Sequence, residues 1–413
     1  MSGATNKKTF DTLIVGAGLL GSSTAYHLAK LGARNIAVID ADLAGRLSSS
    51  ELNAGGARAT WDQDINVKLA QNSIAFFREH REQTGYRDCG YLWMCRPESW
   101  DKAQKRVQFL QQKHGIGAEV WSVQKLRDHA PFLDKTDDLA GATFSAIDGL
   151  FNPNLLKTYL RDEARKLGVE FLEGHRVKAV SRPKADHIEV TCELIPPKNE
   201  AELKEFYESD PAVMQKATGS TTTVTGKKIV NAAGPWAARL AKLIGYETPV
   251  YALRRQVSIF DVRGFDMSHY GMMIDPSGVY FHPEATNILG GYADHDEKPG
   301  WNLSYDGEAW FQEKIWAPLF ERSTKFEELK HLTGWGGLYE ISPDQMGVLG
   351  AVEGFPNVFE NHGYSGRGAM QSYAAGRGLA ELMHTGKFQT IDLSGMSGER
   401  FRTGKLLPEG LLI

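Results

Sequence analysis

The sequence predicts an α/β protein of two domains, one with a parallel sheet between helices and one with a mixed or antiparallel sheet. Three observations predict this. Strand, helix and strand follow one another within the first 40 residues; that alternation is lost between Tyr91 and Leu150; and Tyr246 to Trp335, rich in aromatics and turn residues, alternates apolar with polar positions as antiparallel strands do. The length of 413 residues corresponds to two or three units at about 150 residues each.

Thr12 to Val15 is an apolar strand, a glycine turn then opens a helix through Leu28 and Leu31, Gly32 ends it, and Ile36 to Ile39 is the next strand. This is a βαβ unit. Leu43 to Asp64 is small and polar, a loop, after which Val67, Ala70, Ile74 and Phe77 recur at the spacing of an amphipathic helix. Tyr91 to Leu150 holds short aromatic strand-like pieces and a polar helix around Val107 and Leu110, an excursion into the second domain. A helix returns over Asn154 to Leu167, with Leu156, Tyr159, Leu160 and Leu167 on one face, followed by a strand over Gly168 to Leu172. Strands near Val177 and over His187 to Leu194 lead into Pro196 to Ser220, a Lys/Glu-rich stretch that reads as a solvated insertion. Ile229 and Val230 restart an apolar strand, and the chain closes with a glycine-rich loop and a helix over Ala369 to Met383. The first domain is therefore expected in three pieces, residues 1–88, 148–240 and 335–413, and the second in two, residues 89–147 and 241–334.

Composition removes several classes. Hydrophobic residues make up 42% and charged residues 24%, and 47 Lys and Arg against 51 Asp and Glu leave a net charge of −4. That balance excludes a disordered chain or a coiled coil and leaves no basic footprint for nucleic acid. No apolar run approaches the roughly 18 residues of a transmembrane segment. Met1 to Phe10 is polar with no apolar signal-peptide core behind it, so a cytoplasmic protein is expected. Cys89, Cys95 and Cys192 lack the paired short spacing of a zinc site, and their odd number argues against a disulfide framework. They read as buried free thiols, and no metal site is expected. Glycine is the outlier, 43 residues where a usage of about 7% gives roughly 29.

The excess glycines fall in recognisable places. Gly16-Ala17-Gly18-Leu19-Leu20-Gly21 lies between the first strand and the first helix, and Asp40 ends the second strand 19 residues beyond Gly21. In that context glycines permit a tight turn and close approach of backbone to a pyrophosphate, the helix N-terminus offers N–H donors, and an acid accepts from ribose hydroxyls. The fingerprint does not separate FAD from NAD. Three further segments do, because a nicotinamide enzyme needs no second and third glycine-rich approach to its cofactor. They are Ser48-Ser49-Ser50 with Asn53 to Arg58, the strand end Ile229 to Trp236 with Ala233 and Gly234, and His362 to Gly368 ahead of the last helix. Each alone also reads as a flexible loop, tight packing or a turn.

Taken together, GAGLLG at Gly16, SSSELNAGGAR ending at Arg58, NAAGPW at Asn231, RRQV at Arg254, YFHP at Tyr280, GGY at Gly290, GLYEISPD ending at Asp344 and GYSGRG at Gly363 resemble a family of flavoproteins. It groups sarcosine oxidase, glycine oxidase, D-amino-acid oxidase and dimethylglycine dehydrogenase, and the resemblance covers essentially the whole chain. It implies an FAD-binding Rossmann-like domain, a substrate domain, and FAD stretched between them to oxidise a carbon–nitrogen bond. Cofactor contacts are then expected at Gly16, Gly18, Leu19, Leu20, Gly21, Asp40, Ser48, Ser49, Ser50, Val177, Ala233, Gly234, Trp236, Gly337, Gly363, Tyr364, Ser365, Gly366, Arg367 and Gly368.

Two departures stand out. The cysteine through which monomeric sarcosine oxidases attach FAD falls near Gly337, and no cysteine follows Cys192, so a cysteinyl linkage there is excluded. The lysine those oxidases use toward oxygen falls near Leu289, which suggests a dehydrogenase using a quinone or electron carrier more readily than oxygen.

The flavin supplies the redox chemistry, so the protein has to bind an amino-acid-like substrate and place its α-hydrogen. Arg58 falls where the family carries a substrate-binding arginine and can clamp a carboxylate bidentately, or else pair with an internal acid or a phosphate. Tyr280 and His282 share one strand face on which the family places an aromatic over the substrate; a buried structural pair is the alternative. Arg367 can stabilise negative charge at the flavin edge, Trp61 and Tyr339 are candidate pocket residues, and Arg255 and Gln256 read as structural. Two rival activities remain: oxidation of a 2-hydroxy acid, which has the same carboxylate and hydride geometry, and a flavin-bearing assembly or scaffold role of the kind some members serve in mitochondria.

Overall fold

The strand Lys8–Val15, the helix Leu19–Lys30 and the strand Ile36–Ile39 form the expected βαβ unit in the computed structural model of the chain, which describes residues 8–184, 186–196, 198–208 and 220–410. Leu13 and Ile14 point to opposite faces and both are fully buried, as in a strand covered on both sides. The helix begins after Gly18, which has no capping side chain; Ser50 Oγ reaches in from a distant loop and accepts from Leu19 N at 3.0 Å. Gly32, at φ +100°, turns the chain away at the other end.

The first sheet runs in the order Val348–Ala351, Val358–His362, Thr221–Asn231, Lys8–Val15, Ile36–Ile39 and Glu170–Leu172. Its central pairs are parallel, with Leu13 opposite both Ile229 and Ala37; only Val348–Ala351 runs antiparallel on that path. His187–Leu194 and His175–Lys184 add an antiparallel flap on Thr221–Asn231. The helix Leu19–Lys30 packs between Pro153–Lys166 and Gly368–Thr385, and the latter also meets Asp64–Glu79. Gly376 permits this close approach, since a Cβ there would lie 2.2 Å from Ser23 Oγ. Phe76 stacks on Tyr373 at 3.7 Å between ring centroids in the same core, and burying such side chains contributes about 1.5–3 kcal/mol each.

The second sheet is mixed, in the order Lys330–Ile341, Tyr251–Asp261, Asn287–Tyr292, Val279–Glu284, Met272–Ile274, Tyr91–Cys95, Gly141–Ser145 and Ala118–Trp121. All neighbours are antiparallel except Met272–Ile274 beside Tyr91–Cys95. The strand Lys330–Ile341 crosses the expected division between residues 334 and 335. It stays paired with Tyr251–Asp261 to its end, with Gly337 opposite Arg255 and Ile341 opposite Tyr251.

The stretch from Pro196 is not uniformly solvated. Glu200–Glu208 is a helix whose Leu203 is buried with Leu47, Leu303 and Leu338. Leu203, Phe206 and Tyr207 recur at three- and four-residue spacing, an apolar stripe that the surrounding charge obscured. The rest of the expected insertion, residues 209–219, lies outside the described residues. Cys95 and Cys192 are buried free thiols, whereas Cys89 is only half-buried. No helix among the described residues is long and apolar enough to cross a membrane.

Candidate active site

The parallel strands Lys8–Val15, Ile36–Ile39 and Thr221–Asn231 all end on one side, and a cavity of about 650 Å³ opens there and continues beneath the second sheet. Ligands of open parallel sheets bind at such carboxyl ends. The glycine turn is built by the backbone: Gly16 sits at φ +106°, and a Cβ on it would lie 2.2 Å from Ala232 O. Asp40 closes the turn from the second strand, its Oδ2 accepting from Ala17 N at 2.6 Å and its Oδ1 from Asp42 N at 2.8 Å. Each carboxylate oxygen keeps a second lone pair for a ligand hydroxyl. Ser49 Oγ donates to Leu338 O at 2.5 Å, tying the serine loop to the second sheet.

The far end of the cavity is lined by arginine and aromatic side chains, among them Arg58, Trp61, Tyr91, Arg255, Tyr280, Tyr339 and Arg367. Arg58 lies over the Trp61 ring at 3.4 Å and 4.8 Å from that of Trp93, and its Nη1 donates to Thr60 O at 3.0 Å. Arg367 approaches Trp61 at 5.1 Å, and none of its three guanidinium nitrogens has a hydrogen-bond partner among the described residues. Burial lowers Arg58 to about 9 and Arg367 to about 10, so both remain cations at neutral pH. Burial also holds Tyr91, Tyr280 and Tyr339 neutral, leaving their hydroxyls as donors.

Two buried carboxylates support this end. Asp148 accepts from Ala59 N at 2.7 Å and from Thr60 Oγ1 at 3.1 Å, fixing the loop that carries Arg58 and Trp61; burial raises its carboxyl to about 6. Glu409 returns from near the other end of the chain and accepts from Asp62 N at 3.1 Å, Gln63 N at 3.2 Å and Asn66 Nδ2 at 2.8 Å. It holds the two residues that lead into the helix Asp64–Glu79, and its charge favours the cationic forms of Arg58 and Arg367.

The structure brings most of the expected site residues to this one cavity. Gly16, Gly18, Leu19, Leu20 and Asp40 line it at the glycine turn; Ser48, Ser49 and Ser50 along the serine loop; Val177, Ala233, Gly234 and Trp236 beside the first sheet. Gly337 and the loop Tyr364, Ser365, Gly366, Arg367 and Gly368 line it toward the second sheet, as do Arg58 and Tyr280.

Three expected residues lie elsewhere. His282 shares the strand Val279–Glu284 with Tyr280, but two residues carry it roughly 6.6 Å farther along. There it is buried away from the cavity with Nδ1 2.9 Å from Pro283 O, and burial lowers its imidazole to about 4, so it stays neutral. Gly21 serves helix–strand packing, because a Cβ there would lie 1.9 Å from Gly16 O. Gly363, at φ +75° against Val348 and Val250, forms the turn behind the loop.

Sequence reasoning missed Tyr91, Met272, Glu340, Trp301 and Tyr207 in the lining. Only Glu340 stood within a quoted motif. The others come from elements whose proximity arises through long-range pairing, such as Tyr91–Cys95 beside Met272–Ile274.

A cavity at the carboxyl ends of a parallel sheet, lined also by strands of a second sheet, is where an α/β protein of this class binds a dinucleotide. A family model described as FAD dependent oxidoreductase (DAO) matches residues 11–382, and the chain belongs to this family. FAD-dependent oxidoreductase domain-containing protein 1 of Bos taurus is 30% identical over 435 residues, covering 98% of this chain and 87% of that protein. Among solved structures, L-proline dehydrogenase from P. horikoshii shares the fold at a TM-score of 0.81 and 22% identity, over 97% of this chain and 100% of that one. Glycine oxidase from Geobacillus kaustophilus follows at 0.75 and 20%, over 95% and 98%.

The residues present fit FAD. The Arg367 guanidinium and Glu340 Oε2, both lining the cavity, are buried without hydrogen-bond partners among the described residues. Gly234 has no atom nearer than 3.9 Å to where its Cβ would stand, so a larger residue there would project into the cavity.

Proposed function

We propose that this FAD-dependent oxidoreductase oxidises the carbon–nitrogen bond of a small amino acid, primary, N-methylated or cyclic, to the imine, and that it works as a dehydrogenase. The observation that carries the reading is the pair of buried guanidiniums, Arg58 and Arg367, set on Trp61 at one end of the cavity. An anion is the natural partner of such cations, and a carboxylate matches the planar fork of Arg58. The names of the structural neighbours, a proline dehydrogenase and a glycine oxidase, accord with substrates of this class.

FAD, held along Gly16, Asp40, Ser49 and Gly234, would supply the hydride acceptor for the substrate's α-carbon. Arg58 orients the carboxylate, and its own position is fixed by the stack on Trp61 and the bond to Thr60 O. Arg58, Arg255 and Arg367 all act electrostatically on Tyr339, so three cations bear on that hydroxyl. A like charge is disfavoured there, which selects the substrate with its amine neutral. Tyr280 and Tyr339 present neutral hydroxyls to the same space. Leu289, where the resemblance places the lysine used toward oxygen, supports the dehydrogenase assignment: it is an uncharged side chain buried in an apolar cluster with Tyr280, Val257 and Met272.

Anaerobic mixing of the FAD-loaded protein with glycine, N-methylglycine, proline and lactate tests the reading. Bleaching of the flavin absorbance by an amino acid is expected. Bleaching by lactate alone would overturn the amine assignment, and equal reoxidation rates with air and with a quinone would overturn the dehydrogenase assignment.

A further inference from the structure

The helix Glu200–Glu208 forms a wall of the cavity that no sequence motif announced. It is anchored on both sheets' flanks: Leu203 is buried with Leu47, Leu303 and Leu338, Glu208 Oε1 accepts from Leu303 N at 2.6 Å, and the residues leading into it are held by Arg46 Nη1 donating to Lys198 O at 2.8 Å. Phe206 lies under the Arg176 guanidinium at 4.5 Å. Tyr207 packs on Trp236 with ring centroids 4.8 Å apart, and its carbonyl accepts from Trp236 Nε1 at 3.4 Å.

The helix therefore sits at one particular part of the cavity. Trp236 follows the small-residue end of Thr221–Asn231, and Arg176 precedes the lining residue Val177. The hydroxyl of Tyr207 feels the charges of Asp40 and Asp42, at the end of the second strand. An acid at that place addresses the ribose of a bound dinucleotide's adenosine half. Among the described residues the charges that act on Tyr207 are Asp40, Asp42 and Arg46; the arginines of the other end, where the isoalloxazine and substrate belong on the proposed reading, are not among them.

We propose that the helix Glu200–Glu208 is a clasp on the adenosine half of FAD, with Tyr207, backed by Trp236, as its contact residue. The proposal rests on the FAD reading and adds to it a binding residue supplied by a segment outside the glycine motifs. An aromatic ring held rigidly by a second ring offers its apolar face to a nucleoside at little entropic cost.

Fragment binding tests this. ADP carries the adenosine half alone and riboflavin the isoalloxazine alone. Tyr207→Ala is expected to raise the Kd of the apoprotein for both FAD and ADP by at least about tenfold, with riboflavin unaffected. Unchanged ADP affinity, or an equal loss for riboflavin, overturns the clasp. If the wild-type protein binds neither FAD nor ADP, the cofactor reading itself falls, and the clasp with it. Should Tyr207→Ala fail to fold, amide hydrogen exchange of residues 200–208 in the wild-type apoprotein decides: slowing by ADP and not by riboflavin is expected, and indifference to ADP overturns the proposal.

Discussion

The two ends of the cavity are assembled in opposite ways. At the glycine turn the cradle is the backbone of one short run: Gly16 leaves no room for a Cβ beside Ala232 O, and the amides of Ala17 and Leu19 donate to Asp40 and Ser50, which arrive from farther along the chain. At the arginine end the contacts are side chains gathered from distant elements. Arg58 comes from the loop before Asp64–Glu79, Tyr280 from Val279–Glu284, Tyr339 from Lys330–Ile341, and Arg367 from the turn before Gly368–Thr385. The difference teaches that shape is conferred at one end and charge at the other. A change at the glycine end strikes folding and cofactor together, whereas a change at the arginine end can spare both.

The contrast is broken most severely at Gly16. Gly16→Ala places a Cβ at a φ of +106° and 2.2 Å from a carbonyl oxygen. Loss of FAD binding is expected in a titration of the apoprotein, and retained affinity would show that the turn has room to spare. Next is Arg367→Met, which removes a buried cation that has no hydrogen-bond partner among the described residues, without adding bulk. It is expected to lower kcat/KM by about 10²- to 10³-fold with FAD still bound, read by flavin absorbance alongside steady-state rates. Glu409→Gln keeps the shape but removes the charge that supports both arginines and the bonds from Asp62 N and Gln63 N. A loss of about 1 kcal/mol in denaturant unfolding and a KM raised several-fold are expected.

The smallest effect concerns Asp148 and pH. Its folded pKa of about 6 stands above the ordinary 3.8. Between about pH 4 and 6 the unfolded chain has released this proton while the folded chain holds it. The folded state therefore binds more protons, and this group's contribution to stability falls as pH rises through that window and levels off above it. Asp148→Asn is expected to lack that fall. Unfolding free energies at pH 4.5 and 7 check it: the advantage of wild type over variant should shrink at the higher pH.

The same contrast explains what was legible in the sequence. Gly16 to Gly21, Asp40 and the loop from Tyr364 to Gly368 could be read because their chemistry is local, a few consecutive residues whose spacing already specifies a turn before a helix. Arg58 and Tyr280 were legible through family motifs and reached the cavity. His282 obeyed the alternation that was read for it, yet a strand advances about 3.3 Å per residue and carried it past the cavity's edge. Tyr91 and Met272 were illegible, since only the parallel pairing of two strands far apart in sequence sets them side by side. Tyr207 was hidden differently: its helix is charged on most positions, and the apolar stripe of Leu203, Phe206 and Tyr207 is short.

The most direct test compares an amino acid with its methyl ester. If Arg58 clamps a substrate carboxylate, anaerobic flavin reduction in the wild-type protein is expected to be at least about 100-fold more efficient with N-methylglycine than with its methyl ester. In Arg58→Ala that preference should collapse toward unity with FAD still bound. A preference that survives the substitution intact would contradict the clamp, and with it the reading of the arginine end as the substrate's anionic anchor.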